Sequence, residues 1–287
     1  MSISKLILGT VQFGMPYGIN NSTGKPSAAS VSEILNLAWS NNVRELDCAD
    51  AYGDSQKSIG DHIKETGQQF RINTKFRIDA KHPIECQLKD TLNSLGLSEV
   101  NVYFFHRFQE TIAHPKALDE LNTLKASGRI RKAGVSIYTN EEFKACIYND
   151  AVDVIQLPFN LLDNHSKRGD LIQLAKQHSK TLQVRSVFLQ GLFFKERSSW
   201  PSYLEPLSGY VEQLRSISNR YNMDMHDLAL NYALSNPSID NVIIGVDSAE
   251  QLQKNIAIKQ EIDIEIMQQV DAINVEEQEL LYPMNWK

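Results

Sequence analysis

RINTKF (71–76), IECQLKDTLNSL (84–95) and VNVYFF (100–105) stand next to one another in the chain, and their alternation decides the fold. VNVYFF is apolar at successive positions, Val102 to Phe105, as a strand covered on both faces is, whereas a strand with one wet face alternates. IECQLKDTLNSL places Ile84, Leu88, Leu92 and Leu95 three or four residues apart, one stripe of a helix, and Gly96 supplies the stop. Strand, helix and strand in this order make one unit of a parallel sheet.

Working outward, the same kind of run recurs as KLILG (5–9), RELDC (44–48), RKAGVSI (131–137), DVIQL (153–157), LQVRSVF (182–188) and NVIIGV (241–246), which makes eight. Helical spacings fill the intervals, for example Ala29–Trp39, Ala117–Ala126 before Gly128, and Met225–Leu234. The stretch 189–240 has room for two helices and a loop. Eight strands strictly alternating with helices in 287 residues predict an α/β fold, a single (β/α)8 TIM barrel, over an open doubly wound sheet. No GxGxxG follows the first strand, and no Pro/Gly/Ser-rich linker cuts the chain, so residues 1–287 read as one domain.

Composition narrows the function. With 42% apolar residues the chain can bury a large core, and its net charge of −6 argues against nucleic acid as a partner. The N-terminal apolar run is three residues long and no 18-residue apolar stretch occurs, so we expect a cytoplasmic protein, no membrane partner, and a monomer or small homo-oligomer. Cys48, Cys86 and Cys146 are scattered and read as buried free thiols. The seven histidines form no HxH or HExxH pair, so no metal is expected.

In such a barrel, reactive groups gather at the carboxyl ends of the strands. Asp47 and Tyr52 follow the second run, Lys75 closes the third, His106 the fourth, Ser136 the fifth, Gln156 and Asn160 the sixth, and Arg185 with Ser186 the seventh. Each has an ordinary explanation alone: a solvated Lys, an Asp that caps a helix, a core His. Converging on one rim, they need one another to offset desolvation.

On these residues the chain resembles the aldo-keto reductases. LDCADAYGDSQKSIG (46–60) is similar to that family's signature, an Asp followed five positions later by Tyr and then Gly, and INTKF, VYFFHR, GVSIYT, IQLPFN and IIGVDSAEQLQKN extend the likeness along essentially the whole chain. The resemblance implies a nicotinamide-dependent oxidoreductase acting on a small carbonyl substrate, with NADPH or NADH as cofactor. Its catalytic residues would be Asp47, Tyr52, Lys75 and His106. Tyr52 would be the general acid, Lys75 the cation that stabilises its phenolate, Asp47 the anchor of Lys75, and His106 a hydrogen-bond donor to the carbonyl oxygen. By the same resemblance Ser136 and Gln156, with Asn160 nearby, match residues that hold the nicotinamide carboxamide, while Gly245, Asp247, Gln251 and Asn255 match the segment around the adenosine phosphate.

The chain departs from the family pattern in places. Where many members carry Arg or Lys near the adenosine phosphate, this chain reads Gly245, Val246, Asp247, Ser248, then Gln251 and Asn255. An Asp repels a ribose 2′-phosphate but accepts hydrogen bonds from a free ribose hydroxyl, so either NADH use or a plain helix cap explains Asp247. Arg185 stands where an aromatic residue often stacks on the nicotinamide. It would stack there, pair with a cofactor phosphate, or fork onto a carboxylate of a sugar acid, together with Ser186 at the cofactor side. The first strand begins within five residues of Met1, which leaves no room for the family's usual N-terminal hairpin. Phe108, Tyr138, Phe188 and Trp200 are candidate walls of an open substrate pocket. The competing reading is a non-catalytic, cofactor-sensing or regulatory subunit on the same fold.

Overall fold

The computed structural model describes residues 3–258 and 262–286. Eight parallel strands close on themselves: β1 (Leu6–Gly9), β2 (Glu45–Asp47), β3 (Arg71–Phe76), β4 (Val100–Phe105), β5 (Ile130–Ser136), β6 (Val154–Pro158), β7 (Thr181–Arg185) and β8 (Asn241–Gly245). Each pairs with the next, and β8 pairs back onto β1 with Gly9 opposite Gly245, which closes the barrel. The eight runs read from sequence are these eight strands.

Helices cover the outside. α1 (Val11–Gly14) and α2 (Ala28–Ser40) follow β1, α3 (Ser55–Thr66) follows β2, and α4 (Ile84–Leu95) follows β3. α5 (Phe108–Ala113) and α6 (Lys116–Ala126) follow β4, α7 (Asn140–Ile147) β5, and α8 (His165–Gln177) β6. α9 (Ser208–Arg220) and α10 (Met225–Leu234) fill the long interval before β8, preceded by three short 3-10 turns, and α11 (Ala249–Ile256) and α12 (Ile264–Asp271) follow β8, with two further 3-10 turns after them. Gly96 and Gly128 take left-handed backbone angles, φ 66° and 73°, as the stop signals imply. Helix starts are capped by side chains: Ser27 on α2, Asn164 on α8, and a reciprocal Thr139/Glu142 capping box on α7.

The main core lies between barrel and helices, where Leu46, Ile72, Tyr103, Phe105, Val135, Ile155 and Leu157 pack on helix residues such as Ile59, Leu88, Leu121 and Phe143. Alternate strand residues point inward. Val102, Phe104 and Val154 form a separate apolar cluster there. At the end away from the site the Glu45 carboxylate accepts from Asn73 at 2.7 Å, Asn101 at 3.3 Å, Gln183 at 3.5 Å and Arg71 at 3.2 Å. This charge is stable inside because four donors replace its water.

Two sequence expectations are corrected. The seventh run stops being strand at Arg185, because Ser186, at φ 62°, turns the chain out of the sheet; Val187 and Phe188 then cross the mouth. Cys86 is exposed, since it falls on the solvent side of α4 between the core positions Ile84 and Leu88, whereas Cys48 and Cys146 are buried.

Candidate active site

The carboxyl ends of the strands open into a cavity of about 530 Å³. Its wall includes Asp47, Tyr52, Lys75 and His106 from β2 to β4 and the turns after them, and Ser136, Gln156, Arg185, Ser186, Gly245, Asp247, Gln251 and Asn255 from β5 to β8, the turns after them and α11. Strand register brings the polar groups together: Asp47 lies opposite Asn73, one pleat from Lys75, and Ser136 lies opposite Gln156.

Lys75 is the electrostatic centre. Its Nζ donates to Asp47 Oδ2 at 2.5 Å and to the Cys48 carbonyl at 3.2 Å, with only 2% and 5% of the Lys75 and Asp47 side chains exposed. The other carboxylate oxygen of Asp47 accepts from Gln156 Nε2 at 2.9 Å. Burial lowers the Lys75 pKa, but the Asp47 charge and the neighbouring Tyr52 outweigh it and hold it above the usual lysine value. The site therefore keeps a fixed cation at its floor.

Tyr52 stands over that cation, its ring centre 5.2 Å from Lys75 Nζ. Burial pushes the phenol up to about 12, against the downward pull of Lys75. The hydroxyl thus holds its proton at neutral pH, and it has no hydrogen-bond partner among the described residues. The turn that carries it is fixed by a close backbone crossing: a Cβ on Gly14 would lie 1.6 Å from the Tyr52 carbonyl oxygen, and one on Gly53 2.5 Å from that of Gly14. Ser55 Oγ, donating to the Thr10 carbonyl at 2.9 Å, ties α3 to the same place.

His106 meets the Tyr52 ring edge to face, centroids 6.0 Å apart. Its backbone N–H donates to the Phe76 carbonyl at 2.9 Å, and its Nδ1 is buried without a partner. Burial first, then Lys75, Arg77, Arg185 and Arg107, push the imidazole down to about 3, so it is neutral at physiological pH. A phenol O–H and a neutral imidazole N–H facing one cavity above a buried cation can donate to one oxygen and stabilise negative charge that develops on it.

The opposite wall carries the residues expected from the sequence at a cofactor site. Gln156 is fully buried; its amide nitrogen is committed to Asp47, and its Oε1 has no partner, an acceptor suited to the NH₂ of a carboxamide. Asp247 accepts from Asn21 Nδ2 at 2.9 Å, and burial holds its carboxyl above the usual range. The cap of α11 is Ser248, whose side chain accepts from Gln251 N–H, so Asp247 is not the cap. Gln251 Oε1 accepts from the Asp247 N–H at 2.8 Å, and Asn255 Oδ1 lies 2.7 Å from His226 Nε2.

Other expectations change. Arg185 donates to the Ile137 carbonyl at 3.1 Å and to Ser186 Oγ at 3.4 Å, and lies 4.3 Å from the centre of the Tyr138 ring. Tyr138 and Phe188 line the cavity. Phe108 and Trp200 do not. Phe108 packs on the core where α5 folds over β4, and Trp200 does so with its Nε1 donating to the Lys195 carbonyl. Asn160 is buried off the cavity because its Oδ1 accepts from Leu162 N–H and Asp163 N–H in its own turn. Sequence reasoning missed the loop after β1 (Gln12, Tyr17, Asn20, Asn21), Arg77, Arg107, His226 and Lys254. The strand-end rule would have found the two arginines, which directly follow Phe76 and His106. Lys254 puts a basic residue beside the segment read as having none, though it is paired with Asp224 at 3.3 Å. Nothing in the sequence marks His226, which α10 carries in from outside the barrel.

The chain is similar to known proteins. The aldo/keto reductase family pattern matches residues 5–275. An uncharacterized oxidoreductase of Bacillus subtilis, YqkF, is 23% identical over 89% of this chain and 87% of its own. The D-arabinose 1-dehydrogenase of Saccharomyces cerevisiae is 24% identical over 88% of this chain and 82% of its own. The holo form of a Bacillus halodurans aldo-keto reductase superposes with a TM-score of 0.77 at 21% identity, covering 96% of this chain and 94% of its own.

Proposed function

This chain belongs to the aldo/keto reductase family, and we propose that it interconverts a small carbonyl compound and the corresponding alcohol with NADH or NADPH, using Tyr52 as general acid and base. The observation that carries this reading is the free Tyr52 hydroxyl standing over the buried Lys75–Asp47 pair, beside a neutral His106.

The nicotinamide, when bound, supplies a hydride to the carbonyl carbon or takes one from the alcohol carbon. As a C–H bond forms, the C=O double bond becomes a C–O single bond and its oxygen takes the Tyr52 proton. Lys75 stabilises the phenolate that remains, and Asp47 keeps Lys75 oriented and charged where water is excluded. His106, unable to carry charge at neutral pH, donates a hydrogen bond to the same oxygen and fixes which face of the carbonyl is presented. In the reverse direction Tyr52 returns as phenolate and accepts the alcohol proton.

Ser136 and Gln156 would hold the carboxamide, and Ser186, Gly245, Asp247, Gln251 and Asn255 the rest of the dinucleotide, with Arg185 beside the ring. A sugar or sugar acid suits the polar wall, and the relative named for D-arabinose oxidation supports a sugar. No described helix is long and apolar enough to cross a membrane. The test is titration of the protein with NADPH and NADH by quenching of tryptophan fluorescence, followed by turnover of aldoses, sugar acids and simple aldehydes. Tight binding with turnover is expected. Binding without turnover of any carbonyl favours a non-catalytic subunit, and binding of neither cofactor overturns the proposal.

A further inference from the structure

Beyond the Asp47–Lys75 pair, three guanidiniums line the cavity: Arg77 just after β3 and Arg107 just after His106 on one side, and Arg185 at the end of β7 on the other. Arg185 is engaged by Ile137, Ser186 and Tyr138. Arg77 and Arg107 are not. Among the described residues neither side chain has a hydrogen bond or an ion pair, although both are exposed to the cavity mouth. Asp50 and Glu110 feel their charge, but neither carboxylate comes within ion-pair distance and neither lines the cavity. Asp47, the carboxylate that does line it here, is consumed by Lys75 and Gln156. The rim beside Tyr52 and His106 is thus positive in a chain whose net charge is −6.

This charge is badly placed for a cofactor. In the closed order β1 to β8, β3 and β4 stand across the barrel from β7 and β8, and the candidate dinucleotide residues Ser186, Gly245, Asp247, Gln251 and Asn255 lie on that far side. Two unpaired arginines whose charge acts on the His106 ring, at the ends of the strands across from those residues, are free to meet a substrate. A guanidinium fork matches the planar or trigonal array of oxygens on a carboxylate or phosphate.

We infer that Arg77 and Arg107 hold an oxyanion, carboxylate or phosphate, on a substrate whose carbonyl lies against Tyr52 and His106. This rests on the reductase reading proposed above. Anionic carbonyl compounds are then the preferred substrates, and neutral ones of the same shape are weak ones. Arg77 and Arg107 set specificity through KM.

The experiment uses matched pairs, butanal against succinic semialdehyde and glycolaldehyde against glycolaldehyde phosphate, at saturating cofactor. In the wild type the anionic member should have the higher kcat/KM by about tenfold or more. Arg77→Met and Arg107→Met should each lower that ratio roughly 10- to 100-fold, the size of a lost charge-assisted hydrogen bond. Arg220→Met, which removes an exposed charge bonded to Gln269 away from the cavity, should leave the ratio unmoved. The pair with the larger ratio identifies the oxyanion. Turnover of neutral aldehydes with a wild-type ratio of one or less overturns the anion site and leaves the reductase reading intact. Calorimetric titration with phosphoglycolate tests the site without turnover. Saturable binding weakened at least about tenfold by the double substitution supports it even where no aldehyde is reduced, an outcome that sinks only the reductase reading; identical heats for wild type and double variant overturn it.

Discussion

Lys75 Nζ and Asp47 Oδ2 lie 2.5 Å apart on neighbouring strands, both out of contact with water, with the Tyr52 ring directly over the cation. The pair is costly to bury and is held by four groups at once: the two charges, Gln156 and the Cys48 carbonyl. Its presence at the floor of the cavity gives the Tyr52 phenol a fixed positive neighbour.

Tyr52→Phe removes the proposed proton donor and keeps the ring. Turnover should fall about 100- to 10,000-fold, the range of general acid catalysis, while the cofactor dissociation constant changes little. Stopped-flow or steady-state kinetics beside a fluorescence titration checks both halves. Unchanged kcat removes Tyr52 from the mechanism.

Lys75→Met leaves Asp47 as a buried carboxylate with Gln156 as its one remaining side-chain donor. Urea unfolding should show a loss of about 3–5 kcal/mol, and adding Asp47→Asn should restore a large part of it, because no unpaired charge then remains. If the single variant is as stable as wild type, the pair is not buried in solution.

His106 has a folded pKa near 3, below its ordinary 6.5. A depressed pKa contributes stability that is present above 6.5 and lost as pH falls toward 3, because the unfolded chain takes up the proton first. Acidification from pH 7 toward pH 4 should therefore lower the Tm of wild type more than that of His106→Phe. Parallel slopes for the two, or an NMR titration of the His106 ring near 6.5, would contradict the neutral imidazole.

Asp247 lies in the cavity wall with Asn21 donating to it. Asp247→Arg exchanges a repulsion toward a ribose 2′-phosphate for an attraction, so the NADPH/NADH ratio of kcat/KM should rise by about tenfold or more. A ratio that does not move assigns Asp247 to the Asn21 and Gln251 contacts alone.

Gly14→Ala places a methyl group 1.6 Å from the Tyr52 carbonyl oxygen, and backbone on both sides must move. A stability loss of about 1–3 kcal/mol, typical of overpacking, should accompany a drop in kcat as the Tyr52 turn shifts. Wild-type kcat at reduced stability would mean that the turn is held by other contacts.

The strand runs and the polar residues at their ends were legible because parallel-strand burial and strand-end chemistry are local properties, written in stretches of five to seven residues. RINTKF, IECQLKDTLNSL and VNVYFF became β3, α4 and β4 with the same limits. Asp47, Tyr52, Lys75 and His106 could be singled out as rim residues for the same reason, each lying within five residues of a strand end, whereas the roles expected of them came from the family resemblance. Phe108 and Trp200 went the other way: aromatic character does not say whether a ring turns toward a cavity or under a helix. Asn160 lies off the cavity lining, its oxygen used by its own turn.

What the chain order by itself determined is the alternation of strands and helices and the identity of the groups at one rim, since apolar periodicity and strand termini depend on neighbours in sequence. Tertiary structure alone decided the rest. Closing β8 onto β1 set Gly245 against Gly9, the crossing of Gly14 with Gly53 aimed Tyr52, and packing of α10 brought His226 to Asn255. The strand-end rule holds Arg77 and Arg107 beside Lys75 and His106. That they line the cavity unpaired among the described residues, across the barrel from Ser186 and Gly245, follows from closure of the ring, because the distance across a barrel is a property of the whole sheet and of no segment within it.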